Sequence, residues 1–156
     1  MLKGIDPLLT PDLLKVLAEM GHGDEIVIAD ANFTAVTLAQ GANGSSKPLI
    51  RLPGVDVERV SRAVLSVFPL DPMVDRPVAY MQVGDTAPGY LSAQQRRVMT
   101  MLASEGHATA AQCEATERFA FYDRVRKAYA IVLTGELQPW GNFLYKKGVL
   151  GEVLVP

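Results

Sequence analysis

Cysteine is almost absent from this 156-residue chain: Cys113 stands alone, which excludes an internal disulfide and a Cys-rich metal cage. It is read as a buried or idle thiol. Histidine is nearly as scarce. His22 and His107 lack the helical spacing of a metal pair, so only Asp and Glu could complete a site, and no metal centre is expected. An excess of one charge is missing too. With 15 Lys and Arg against 17 Asp and Glu the formal charge is −2, which offers nucleic acid no basic footprint. No apolar run is long enough to span a bilayer, and the first residues lack the apolar core of a secretory signal. No membrane partner is expected, and the expected location is the reducing cytoplasm. Repeats and low-complexity tracts are also lacking. What is present is a fairly apolar chain, 49% hydrophobic with a mean hydropathy of +0.14. Its length suits one domain over 1–156, able to bury about two thirds of the unfolded surface. The apolar surplus is also available for contacts between subunits.

Helix and strand signals alternate. Thr10 is a candidate N-cap, with Pro11 at the first helical position and Asp12 in the first turn. Leu13, Leu14, Leu17 and Met20 form an apolar face that Gly21 can end. Residues 25–29 read as a buried strand because Ile26-Val27-Ile28 is a β-branched run. Residues 40–47 are a Gly/Ser-rich loop. A helix is predicted after Gly54, with Val57, Val60, Val64, Val67 and Phe68 on one face and Pro69 closing it. A strand is predicted over 78–83. Ser92 and Gln95 make a capping box for a helix carrying Val98, Met99 and Leu102, with the methionines as core filler. Residues 118–128 form a further helix, basic toward its C-terminal end, and 129–134 an apolar strand that Gly135-Glu136 breaks. This alternation predicts an α/β fold.

Five places carry chemistry. In Gly21-His22-Gly23 an imidazole that titrates near neutral pH sits between residues that let a ligand approach. The plainer reading is a helix cap followed by a turn. Asp30 lies at the carboxyl end of its strand, where ligands gather in open α/β sheets. Arg118 and Tyr122, four apart on a helix, can grip a hydroxylated ligand or form a structural pair. Trp140-Gly141-Asn142 joins an aromatic plate, a close-approach glycine and an amide that both donates and accepts, a set suited to carbohydrates. Asp71, in a Pro-Leu-Asp-Pro turn, can present a carboxylate or serve turn chemistry. His107 sits in a loop expected to be exposed and is assigned nothing. The glycines around His22 do not make a nucleotide loop, since neither a full glycine fingerprint nor a Gly-Lys-Ser/Thr sequence follows a strand.

Met1-Leu2-Lys3-Gly4-Ile5, the stretch from Glu19 to Glu25, Asp30-Ala31-Asn32-Phe33, Arg118-Phe119-Ala120-Phe121-Tyr122, Thr134-Gly135-Glu136 and the stretch from Gly141 to Val149 resemble, in order, the L-fucose mutarotase and D-ribose pyranase family. The fucose branch is the better match. The likeness is weakest over 41–48 and 86–116.

This resemblance implies a three-layer fold, a central sheet flanked by helices, that assembles into a ring-like homo-oligomer with sites near subunit boundaries. An octamer or decamer is expected. It also implies a cofactor-independent isomerase that interconverts the anomers of a free monosaccharide. His22 is then the proton donor, and Asp30 binds and orients the sugar. Arg118 and Tyr122 contact it, Tyr122 also moving a proton. Asp71, Trp140, Gly141 and Asn142 complete the binding set. Two departures stand out: Trp140 replaces the family's Tyr, exchanging a phenol oxygen for an N–H that only donates, and Asn32 stands where some relatives have His. Opening a pyranose needs a proton delivered to the ring oxygen and another taken from the anomeric hydroxyl, by Tyr122, Asp30 or a water. A non-catalytic sugar-binding or regulatory protein, and a pyranase acting on D-ribose or another aldose, are the alternatives. The apolar tail 149–156 is expected to pack on a neighbour or on its own subunit.

Overall fold

The capping signals fall where the sequence puts them. Thr10 accepts the Leu13 N–H at 3.2 Å and starts α1 (Pro11–Glu19). Ser92 and Gln95 close a reciprocal box at the head of α4 (Ala93–Ser104). The computed structural model describes residues 2–152, so Met1 and the end of the apolar tail, 153–156, lie outside the described residues. Between these helices run β1 (Glu25–Ala29), α2 (Ala35–Ala39), β2 (Leu49–Leu52), α3 (Val57–Leu65) and β3 (Val78–Met81); β4 (Cys113–Thr116), α5 (Arg118–Lys127), β5 (Ala130–Thr134) and β6 (Phe143–Lys146) follow.

Among the described residues the strands form one six-stranded sheet in the order β2-β5-β1-β6-β3-β4. Only β6 runs against the others, pairing antiparallel with β1 on one side and β3 on the other. Strand alternation sends successive side chains to opposite faces. Ile26, Ile28, Val132, Phe143 and Tyr145 meet α1, α3 and α4, whereas Val27, Ala29, Ile131 and Leu144 meet α2 and α5. The result is the three-layer α/β arrangement anticipated from the sequence. Each fully buried Leu, Ile or Phe in these layers contributes about 1.5–3 kcal/mol of transfer free energy.

Several boundaries differ from expectation. The helix after Gly54 stops at Leu65, and Val67, expected on its apolar face, is 39% exposed. Strand β3 ends at Met81 rather than Val83, because the segment leading into its neighbour β6 turns away at Trp140-Gly141. His107 is half-buried, its Nε2 3.6 Å from Glu105, rather than exposed. Cys113 sits on β4, where burial pushes its thiol up to about 11, consistent with an idle group. Among the described residues no helix is long and apolar enough to cross a membrane.

Candidate active site

The carboxyl ends of β1 and β3 and the start of β6 meet at one end of the strands. A cleft of about 220 Å³ opens there, lined by Asp30, Asn32, Phe33, Met81, Arg118, Tyr122, Pro139, Trp140 and Asn142. Asp30 anchors it. Its carboxylate accepts the Asn32 N–H on Oδ1 at 2.9 Å and the Gly141 N–H on Oδ2 at 3.0 Å. Its own N–H donates to Asn142 Oδ1 at 3.0 Å, which leaves the Asn142 amide nitrogen only a long contact to the Met81 sulfur. Burial pushes the Asp30 carboxyl above the ordinary range, the Glu136 carboxylate adds to this, and the hydrogen bonds from Asn32, Gly141 and Asn142 pull the other way. Asp30 thus lies in a cleft at the carboxyl end of its strand, the place where ligands gather in open α/β sheets.

Helix α5 supplies the opposite wall. Glu117 accepts the N–H groups of Phe119 and Ala120 and starts the helix, so Arg118 and Tyr122 project together. Arg118 Nε donates to Tyr122 Oη at 3.0 Å, leaving the phenol proton free to point elsewhere. Phe33 packs edge-on against Tyr122 and against the fully buried Phe121, which holds the phenol at the cleft. Trp140 adopts a left-handed backbone, φ 70°, costing a non-glycine residue roughly 1–2 kcal/mol. Its indole lies over Gly84, where a Cβ would come within 3.1 Å of the ring.

His22 and Asp71 are not in this cleft. They lie at the opposite end of the strands, His22 before β1 and Asp71 between α3 and β3, where His22 Nε2 stands 3.1 Å from Asp71 Oδ2. Asp71 is 3% exposed, and its Oδ1 accepts the Met73 N–H. With Nε2 facing this carboxylate, Nδ1 is the ring nitrogen left for chemistry. The end of β6 aligns the two loops: Lys147 exchanges backbone hydrogen bonds with Gly23 and Asp24, while Gly148 N–H donates to Pro69. Glycine is required at 148, since a Cβ there would meet the Leu70 carbonyl oxygen at 2.5 Å. Beside His22 lies a mostly apolar groove of about 610 Å³ that includes Leu14, Leu17, Val67 and Leu150.

The structure thus brings Asp30, Arg118, Tyr122, Trp140 and Asn142 together, with Gly141 behind Asp30, and sets His22 and Asp71 apart from them. Asp71, expected on the sugar, binds His22 within its own chain. Sequence reasoning assigned no role to Phe33, Met81 or Pro139, which also line the cleft. Met81 had a signal available, because it ends a strand parallel to β1 as Asp30 does. Among the described residues no three His, Cys, Asp or Glu side chains converge as metal ligands would.

The RbsD / FucU transport protein family matches residues 3–150. The chain belongs to this family. Within RbsD / FucU it is 46% identical over 151 residues to an L-fucose mutarotase of Glaesserella parasuis, covering 96% of each chain. It is 41% identical to a fucose mutarotase of Mus musculus, over 96% of this chain and 95% of the relative. A fucose mutarotase from Streptococcus pneumoniae solved in complex with L-fucose superposes with a TM-score of 0.82 at 39% identity, over 96% of this chain and all of that one. The family resemblance carried by the sequence segments is therefore borne out along nearly the whole chain.

Proposed function

We propose that this protein is a mutarotase that interconverts the α and β anomers of L-fucose by acid–base ring opening and reclosure. The observation that carries the reading is the polar cleft built around Asp30 in a chain whose full-length relatives are L-fucose mutarotases. Sugar hydroxyls meet the free lone pairs of Asp30 and the Asn142 amide, and the C–H face of the ring rests on Trp140. Arg118 and Tyr122 close the other side.

The proton donor must come from elsewhere, because His22 is at the far end of its own strands. We place the catalytic centre between two copies, the cleft of one facing the His22–Asp71 pair of the next. Exposed apolar side chains support such a contact: Phe119 and Leu137 flank the cleft, and Leu150 and Met73 flank the His22 end. Two different faces meeting head to tail generate a ring when the rotation closes, and an octamer or decamer fits this proposal. Asp71 then orients His22 rather than touching sugar. His22, as the imidazolium held by Asp71 through Nε2, delivers its Nδ1 proton to the ring oxygen and becomes neutral. Asp30, a buried carboxylate with a raised pKa, is the better acceptor for the anomeric hydroxyl proton, and Tyr122 donates a hydrogen bond to the sugar without giving up its proton. The carbonyl turns, and the reverse transfers close the ring. The sole cysteine fits a cytoplasmic setting.

Saturation-transfer NMR of L-fucose and, separately, D-ribose at anomeric equilibrium tests the function. Wild type should accelerate exchange of L-fucose, and His22→Ala should lose about 10²–10⁴-fold of that rate. Sugar binding without faster exchange would replace the enzyme by a sensor.

A further inference from the structure

Gln95 does more than cap a helix. Its amide is fully buried and every hydrogen-bonding group on it is used. Oε1 accepts the Ser92 N–H at 3.0 Å, which is its part in the capping box. Nε2 donates to the Met81 carbonyl at 2.7 Å and to the Trp140 carbonyl at 3.0 Å. The contacts fix the orientation of the amide, since two carbonyls can be bridged only by the nitrogen with its two protons.

The place of this bridge is where β3 and β6 part. Met81 N–H still donates to the Asn142 carbonyl, the last rung of their ladder. Beyond it the carbonyls of Met81 and Trp140 have no strand partner, and the Gln95 amide stands in for one. The second carbonyl belongs to the Trp140–Gly141 peptide, which is trans and planar, so its C=O and N–H point in opposite directions. Gln95 holds that plane by its oxygen, and Asp30 Oδ2 accepts the N–H on the other side at 3.0 Å. The same peptide follows the left-handed φ of Trp140. Rotation of this one plane would release the indole, the Asp30 carboxylate and the approach to Asn142 together.

We propose that Gln95 is a positioning residue of the sugar site, fixing the Trp140–Gly141 peptide so that Asp30 and the indole face the ligand. The proposal rests on the mutarotase reading for its sugar and on geometry alone for the clamp. A cap explains only half of the side chain. Glu serves as well as Gln at this capping position, but it has no N–H to bridge two carbonyls.

That difference gives the experiment. Gln95→Glu keeps the capping acceptor and removes both donors; Ser92→Ala removes the other half of the cap and leaves the clamp. Trp140 is the only tryptophan, so intrinsic fluorescence reports on the clamped peptide whether or not turnover is measured. Gln95→Glu should shift Trp140 emission to the red and lower kcat/KM for L-fucose anomer exchange, chiefly through KM. The loss expected is on the order of 10- to 100-fold, as for a reacting group displaced by about 1 Å. Ser92→Ala should change neither. Wild-type emission and KM in Gln95→Glu would overturn the proposal, as would equal effects in Ser92→Ala. Should wild type not accelerate anomer exchange, the mutarotase reading fails while the emission comparison still decides the clamp. If Gln95→Glu does not fold, NMR of wild type decides: both Gln95 side-chain amide protons should resist solvent exchange, and free exchange of either would refute the bridge.

Discussion

Mixing two inactive variants should restore activity if one catalytic centre draws on two copies. His22 precedes β1 and Asp30 follows it, and a five-residue strand covers roughly 17 Å, more than an imidazole can reach across. In a head-to-tail contact each centre takes His22 from one copy and the Asp30 cleft from the next. On the proposed mechanism His22→Ala removes the proton donor and Asp30→Asn removes a carboxylate that holds sugar, so each variant alone is expected to lose about 10²–10⁴-fold. Co-expressed in equal amounts, half the copies carry an intact His22 and the other half an intact Asp30. A random ring then has about one quarter of its centres complete in both. Anomer exchange should return to about one quarter of the wild-type rate per subunit, far above either variant. Native mass spectrometry establishes that mixed assemblies have formed. Mixed assemblies with no more activity than the single variants would refute a centre shared between copies.

Asp30 gives opposite pH trends for binding and stability. Its raised pKa means that the neutral form favours the fold below the ordinary carboxylate value, and that this contribution is lost as pH rises through the raised pKa, while the proposed mechanism needs the charged form to hold sugar. Fucose affinity, read by Trp140 quenching, should therefore fall as pH drops through a midpoint above about 3.9, the ordinary Asp value, and a midpoint at or below it would refute the assignment. Gln94 is buried beside Gly141 with neither amide atom hydrogen-bonded, so Gln94→Met should raise stability in urea by about 1 kcal/mol; a clear loss would mean the amide has a partner. Gly148→Ala should push the Leu70 carbonyl away and separate Asp71 from His22, lowering kcat more than sugar affinity at the cleft. Equal losses in both would point to general unfolding.

Much of the fold was legible because the signals were local. Thr10-Pro11 and the Ser92/Gln95 box are chemistry within a few residues, and the Ile26-Val27-Ile28 run needs no partner to be recognised as a strand. Strand β4 escaped because Cys-Glu-Ala-Thr at a sheet edge carries no apolar run. α2 is a single short turn of helix, and β6 gains its burial from two strands distant in sequence. The cleft residues Asp30, Arg118, Tyr122, Trp140 and Asn142 stood out one by one, but their grouping did not. The division of His22 from Asp30 depends on the direction of β1, and the His22–Asp71 pair joins loops 49 residues apart. Gln95 was read only as a cap because its second role needs two carbonyls that no local pattern reveals.

The lone reversed strand has a further consequence. β6 follows directly on Asn142, in the Asp30 cleft, and leads directly into Lys147 and Gly148, which align His22 with Asp71. If centres form between copies, every β6 is a short rigid rod joining two successive centres. Round the ring, cleft and donor would then be wired in series, so that a shift in the rod at one station is felt at the next. Occupancy of one site could thus set how well its neighbour's imidazole is aimed, a route to communication that uses four residues of backbone and no moving domain.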